Sequence, residues 1–139
     1  MKIYFSGSIR GGRDDKETYL LLIQYLKKYG KVLTEHIGDS NLTDSGEANI
    51  SEKSIYARDM AWLQESDVVI AEVSNPSIGV GYEIAKAESM NKKILCLYSE
   101  NRDKKLSVMI SGNLETPVLN YQTLEDAFRQ IDIFFKSIG

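Results

Sequence analysis

Apolar residues follow two alternating rhythms along this chain. Five short runs, 2–6, 31–34, 67–72, 93–98 and 117–120, are dense in apolar residues and read as strands. The third holds Val68-Val69-Ile70-Ala71 without polar alternation, which suits a parallel sheet covered on both faces. Between the runs, apolar positions recur at helical spacing. Residues 14–29 place Tyr19, Leu22, Ile23 and Leu26 at i, i+3, i+4 and i+7, and Gly30 stands where it can end that helix. A second helix is predicted over 51–65, with Ile55, Trp62 and Leu63 on one stripe, and a third over 80–91. The last, 123–137, has the clearest stripe: Leu124, Ala127, Phe128, Ile131, Phe134, Phe135 and Ile138. A weaker helical piece lies around 105–110, and the polar stretch 38–52 reads as a long loop.

Strand–helix alternation predicts an α/β fold: a single doubly wound domain over residues 1–139, its five-stranded parallel sheet flanked by helices in a Rossmann-like or flavodoxin-like order. Such sheets take ligands beyond the carboxyl ends of their strands. The residues that follow each strand are therefore where chemistry is expected.

Composition narrows the classes. Hydrophobic residues make up 42% and charged residues 27%, as in ordinary globular proteins. No apolar run approaches the ~20 residues of a membrane span, so no membrane partner and a cytoplasmic location are expected. The net charge is −3 and basic residues form no block, which argues against binding polymeric nucleic acid. Cys96 lies in the apolar run Ile94-Leu95-Cys96-Leu97 and is expected as a buried core thiol. Metal-ligand spacing is absent, so no metal is expected.

The first candidate site follows strand one: Ser6-Gly7-Ser8-Ile9-Arg10-Gly11-Gly12-Arg13. Free backbone N–H groups, a helix start and guanidinium forks favour a phosphate or carboxylate. The segment matches neither a Walker A loop nor Gly-x-Gly-x-x-Gly. The second is Pro76-Ser77-Ile78-Gly79-Val80-Gly81-Tyr82-Glu83. With a helix beginning near Val80, Glu83 falls in its first turn, where the dipole should keep it ionised and fit to be a nucleophile. Gly79 and Gly81 let a ligand approach the backbone. Asp59 falls on the apolar stripe of the second helix. Either partial burial raises its pKa and lets it carry a proton, or it pairs with Arg58 or another local group. His36 is the single histidine, a structural residue or a substrate contact. The segment Ser107 to Gly112 supplies further hydroxyls.

Taken together, Tyr4-Phe5-x-Gly-Ser-Ile-Arg-Gly-Gly-Arg13, residues 29–36, Asp59-Met60-x-Trp62-Leu63, Pro76-Ser77-x-Gly-Val-Gly-Tyr-Glu83 and Leu106-Ser107-x-Met109-Ile110-x-Gly112 resemble the nucleoside 2-deoxyribosyltransferase family. The nearest likeness is to its 2'-deoxynucleoside 5'-monophosphate N-hydrolase branch. The resemblance implies Glu83 as the nucleophile at C1' of the sugar, Asp59 as the group that protonates or positions the departing base, and Tyr4 as the residue that orients the nucleophile. It further implies a substrate- and phosphate-binding set of Ser6, Gly7, Ser8, Ile9, Arg10, Gly11, Ser77, Gly79, Ser107 and Met109. Base contacts would fall to His36 and Trp62. A homodimer is also implied, in which the Ser107 segment completes the neighbour's site, with no cofactor. Three alternatives stay open: a deoxyribosyltransferase, a CMP-type ribonucleotide N-hydrolase, and a nucleotide-binding protein without catalysis.

Overall fold

The computed structural model describes residues 1–9, 15–39, 41–47, 49–100 and 105–139. Among these, five strands form one parallel sheet: β1 (Lys2–Ser6), β2 (Lys31–Val32), β3 (Val68–Glu72), β4 (Lys93–Ser99) and β5 (Val118–Tyr121). Their order is β2-β1-β3-β4-β5, the flavodoxin-like arrangement in which the chain reverses its direction of winding between β1 and β3. The helices are α1 (Lys16–Leu26), α2 (Glu52–Glu65), α3 (Ile78–Ser89), α4 (Val108–Ser111) and α5 (Leu124–Ser137), and a 3-10 helix spans Glu35–Gly38.

Strand periodicity divides the core in two. Ile3 and Phe5 of β1 face α1 and α5, where Leu22, Leu26, Ile131 and Phe134 pack. Tyr4 points to the opposite face, with Val69 and Ala71 of β3 and with Leu63, Val80 and Ile84 of α2 and α3. Cys96 is buried on that second face, and burial pushes its thiol up to about 12. The stripe on the last helix buries Ala127, Ile131, Phe134 and Phe135, and Thr123 opens it with a capping box to Asp126. No helix among the described residues is long and apolar enough to cross a membrane.

Three expectations are corrected. The strand expected over 31–34 ends at Val32, because Thr34 takes over its pairing. The Thr34 Oγ1 accepts from Phe5 N at 2.8 Å and donates to Phe5 O at 2.7 Å, replacing a ladder pair with one side chain. Gly30 does not end α1, which closes at Leu26. Its reason is steric: a Cβ there would lie 2.2 Å from the Met1 carbonyl oxygen. Finally, α3 begins at Ile78, two residues before the expected Val80. The Ser77 hydroxyl accepts from Val80 N at 3.3 Å and starts the helix there. Glu83 consequently sits in the second turn.

Candidate active site

A cleft of about 1070 Å³ opens at the carboxyl ends of β1 and β3. One wall is α2 with Arg58 and Asp59, and the other is the start of α3, from Pro76 to Glu83. Gly7 and Ile9 of the β1–α1 loop, His36 of the 3-10 helix and Ser107 also border it.

Glu83 reaches back from α3 to the sheet. Its Oε2 accepts from the Tyr4 hydroxyl and its Oε1 from the Ser6 hydroxyl at 2.9 Å. Tyr4 and Ser6 lie two apart on β1, so the strand period puts both on one face, and both are almost fully buried. Burial pushes the Glu83 carboxyl up to about 8. This corrects the expectation of a carboxylate kept ionised by the helix end, because the dipole effect fades beyond the first turn. The two hydroxyl donors act in the opposite direction, favouring the charged form. The result is a carboxylate oriented by two fixed donors and held near its ionisation point.

Asp59 sits on α2 with 23% of its side chain exposed. Its Oδ1 accepts from Arg58 Nε at 3.1 Å and Nη2 at 3.0 Å. Burial raises its pKa, while Arg58 and His36 lower it and Glu47 adds to the rise. Asp59 is thus paired with Arg58, and burial raises its pKa.

Known proteins resemble this chain over most of its length. The sequence profile of the nucleoside 2-deoxyribosyltransferase family matches residues 3–122. A Danio rerio protein named 5-hydroxymethyl-dUMP N-hydrolase is 48% identical over 126 residues, covering 91% of this chain and 88% of its own. Its Esox lucius namesake is 52% identical over 117 residues, covering 83% and 81%. In fold, the chain resembles the solved CMP N-glycosidase of Clostridium botulinum, with a TM-score of 0.68 at 19% identity, covering 96% of this chain and 99% of that one. The chain belongs to the nucleoside 2-deoxyribosyltransferase family.

Of the remaining candidate positions that the structure describes, some lie on the cleft wall and others off it. Ser77 and Gly79 stand at the first turn of α3, whose leading N–H groups have no partner within the helix and suit an anion. Gly7 packs flat on Tyr19, where a Cβ would come within 2.9 Å of the ring. Ser8 is fully buried, with its N–H donating to the Tyr19 hydroxyl at 3.0 Å and its Oγ accepting from Asn75 Nδ2 at 3.2 Å. Arg10 and Gly11 lie outside the described residues. Ser107 borders the cleft of its own chain and caps α4 by accepting from Met109 N at 3.2 Å. Met109 is 79% exposed and stands off the cleft wall. Trp62 is also behind the wall, its ring 4.6 Å from the Arg58 guanidinium carbon and 5.8 Å from the His36 ring.

One bond and two residues escaped the sequence reading. The bond from Ser6 to Glu83 was legible in principle, since Ser6 shares a strand face with Tyr4. Glu72 ends β3 fully buried, accepting from Ser74 N at 2.7 Å, Ser74 Oγ at 2.9 Å and the Tyr121 hydroxyl. Its pKa is raised by burial, and it anchors the turn that carries Asn75 toward Ser8. An acid within the run Val68 to Val73 was its signal. Glu47 gave none, because its partner Arg58 is brought to it only by the fold.

Proposed function

We propose that this protein is an N-hydrolase that cleaves the N-glycosidic bond of 2'-deoxynucleoside 5'-monophosphates, releasing the free base and 2-deoxyribose 5-phosphate. The observation that carries this reading is the Glu83 carboxylate, held by the Tyr4 and Ser6 hydroxyls at the β1–β3 switch point and lining one cleft with Asp59. The names of relatives near 50% identity support the same reaction class.

In the proposed first step a Glu83 oxygen bonds to C1' as the C1'–N bond breaks. The bonding pair leaves with the base, which receives a proton from Asp59. Charge develops on the sugar in an oxocarbenium-like state that the neighbouring carboxylate stabilises. In the second step water attacks C1', gives a proton to Asp59 and expels Glu83. Hydrolysis thus returns both acids to their starting states. Ser77, Gly79 and the first turn of α3 take the 5'-phosphate, joined by Arg10 and Gly11, while Ser8 holds the loop through Asn75. Binding energy from the phosphate fixes the sugar against Glu83.

A homodimer belongs to this reading. Ile78, Val108, Met109 and Leu114 expose 95%, 77%, 79% and 98% of their surface. Such large exposed apolar groups support burial against a second copy, with Ser107 and Met109 brought to the neighbour's site. The reading places the enzyme with its nucleotides in the cytoplasm, without a metal or cofactor.

The test is chromatographic analysis of products from 2'-deoxynucleoside monophosphates, matching ribonucleotides and unphosphorylated deoxynucleosides, with and without an added base. Base and 2-deoxyribose 5-phosphate from the deoxynucleotides are expected. Base exchange on unphosphorylated substrates would establish a transferase instead. Cleavage confined to ribonucleotides would overturn the sugar assignment, and no turnover would leave a nucleotide-binding protein.

A further inference from the structure

The Arg58 guanidinium joins two carboxylates in the cleft. Toward its own helix it donates from Nε and Nη2 to Asp59 Oδ1. Toward the loop it donates from Nη1 to Glu47 Oε1 at 3.0 Å and from Nη2 to Glu47 Oε2 at 2.9 Å, a parallel fork. Its plane lies over Trp62, at 4.6 Å from the ring. Side-chain exposure is 25% for Arg58, 23% for Asp59 and 18% for Glu47. These are not solvated surface pairs whose worth is close to nothing.

We infer that Arg58 is a positioning residue for Asp59, and that Glu47 is the counterweight that sets how much of the guanidinium Asp59 receives. Two N–H groups on one oxygen stop rotation of the Asp59 carboxyl and fix the direction from which it meets the base. Trp62 keeps the guanidinium from swinging away. Glu47 holds the far edge of the same fork, so its negative charge offsets part of the Arg58 charge felt by Asp59.

Among the described residues, titratable and charged groups come toward Asp59 from four elements. Arg58 shares its helix, Glu47 arrives from the 41–47 loop, and His36 from the 3-10 helix, 3.4 Å from Glu47 Oε1. Glu83 borders the same cleft from α3. Arg58 favours the charged form of Asp59, and Glu47 disfavours it. Removing one or the other must therefore move the ionisation of Asp59 in opposite directions. A residue that merely held the helix in place would do neither.

The inference rests on the hydrolase reading only for what Asp59 does to the base. Its test is a carbon-13 NMR titration of protein labelled at the aspartate side-chain carboxyls. The Asp59 signal is assigned by its loss in Asp59→Asn. Arg58→Gln should raise the Asp59 midpoint by about one pH unit, and Glu47→Gln should lower it. Arg58→Lys should keep the midpoint close to wild type, yet lose about tenfold in kcat with KM little changed, because a point charge cannot hold the carboxyl in a fork. Midpoints that stay put in both variants, or that move the same way, overturn the pairing. Should Arg58→Gln fail to fold, Glu47→Gln decides alone, and an unmoved midpoint there has the same consequence. A wild-type protein that cleaves no nucleotide would overturn the hydrolase reading alone, since the titration does not depend on turnover.

Discussion

Tyr4 on β1 donates its hydroxyl to Glu83 on α3, tying the sheet to the cleft wall across the point where the chain reverses its winding. Glu83 is buried enough to be pushed up to about 8, and in the proposed mechanism it must be charged to attack. The charged fraction of Glu83 therefore rises with pH toward about 8, while the protonated fraction of Asp59, the proposed proton donor, falls over its own range. Tyr4→Phe removes a donor that favours the charged form while keeping the ring in the core. We expect the limb of kcat/KM set by Glu83 to move to higher pH and kcat near neutral pH to fall about 10- to 100-fold. The check is a pH–rate profile of the two proteins, and an unmoved limb would detach Tyr4 from the ionisation of Glu83.

The same burial makes Glu83 costly to stability. Below about 4.5 the carboxyl holds its proton in both the folded and unfolded chain. Between about 4.5 and 8 the unfolded chain releases it while the folded protein keeps it, so stability falls as pH rises through this window. Above the folded value the loss is complete. Glu83→Gln removes the titration and should be more stable than wild type by on the order of 2 kcal/mol at alkaline pH, with the gap closing in acid. Urea melts at several pH values read this directly, and a constant gap would contradict it.

Gly79 separates folding from binding. A Cβ built there meets nothing closer than Ser77 Oγ at 3.9 Å, so Gly79→Ala fits the protein itself. In a helix the change should hold or raise stability by up to about 1 kcal/mol. The added methyl projects into the space assigned to the phosphate. KM for a 5'-monophosphate should rise at least about tenfold with Tm maintained. Unchanged KM would move the phosphate away from the start of α3.

Most of the fold could be read in the sequence, because strand and helix periods are local signals. The strands around Val69 and Leu95 and the stripe from Ala127 to Phe135 each carry their burial pattern in consecutive residues. What failed was non-local. Thr34 ends β2 through contacts with Phe5, and Gly30 is glycine because Met1 passes beside it. The site divides the same way. Glu83 and Asp59 announce themselves by position in a helix and by unusual surroundings. Glu47 and Glu72 matter through partners 11 and 49 residues away, which no spacing rule connects. The charge state of Glu83 was misread for a related reason: a dipole is local to a helix end, but burial is set by every element around it.

In the proposed mechanism Glu83 bonds to C1' before water does. Cleavage of a 2'-deoxynucleoside 5'-monophosphate in dilute methanol tests it, with the anomeric configuration of the methyl glycoside read by proton NMR and Glu83→Ala run alongside. Two displacements invert twice, so the product should retain the β configuration, and cleavage should fall at least about 10³-fold in Glu83→Ala. An inverted product, or full turnover by Glu83→Ala, would contradict it.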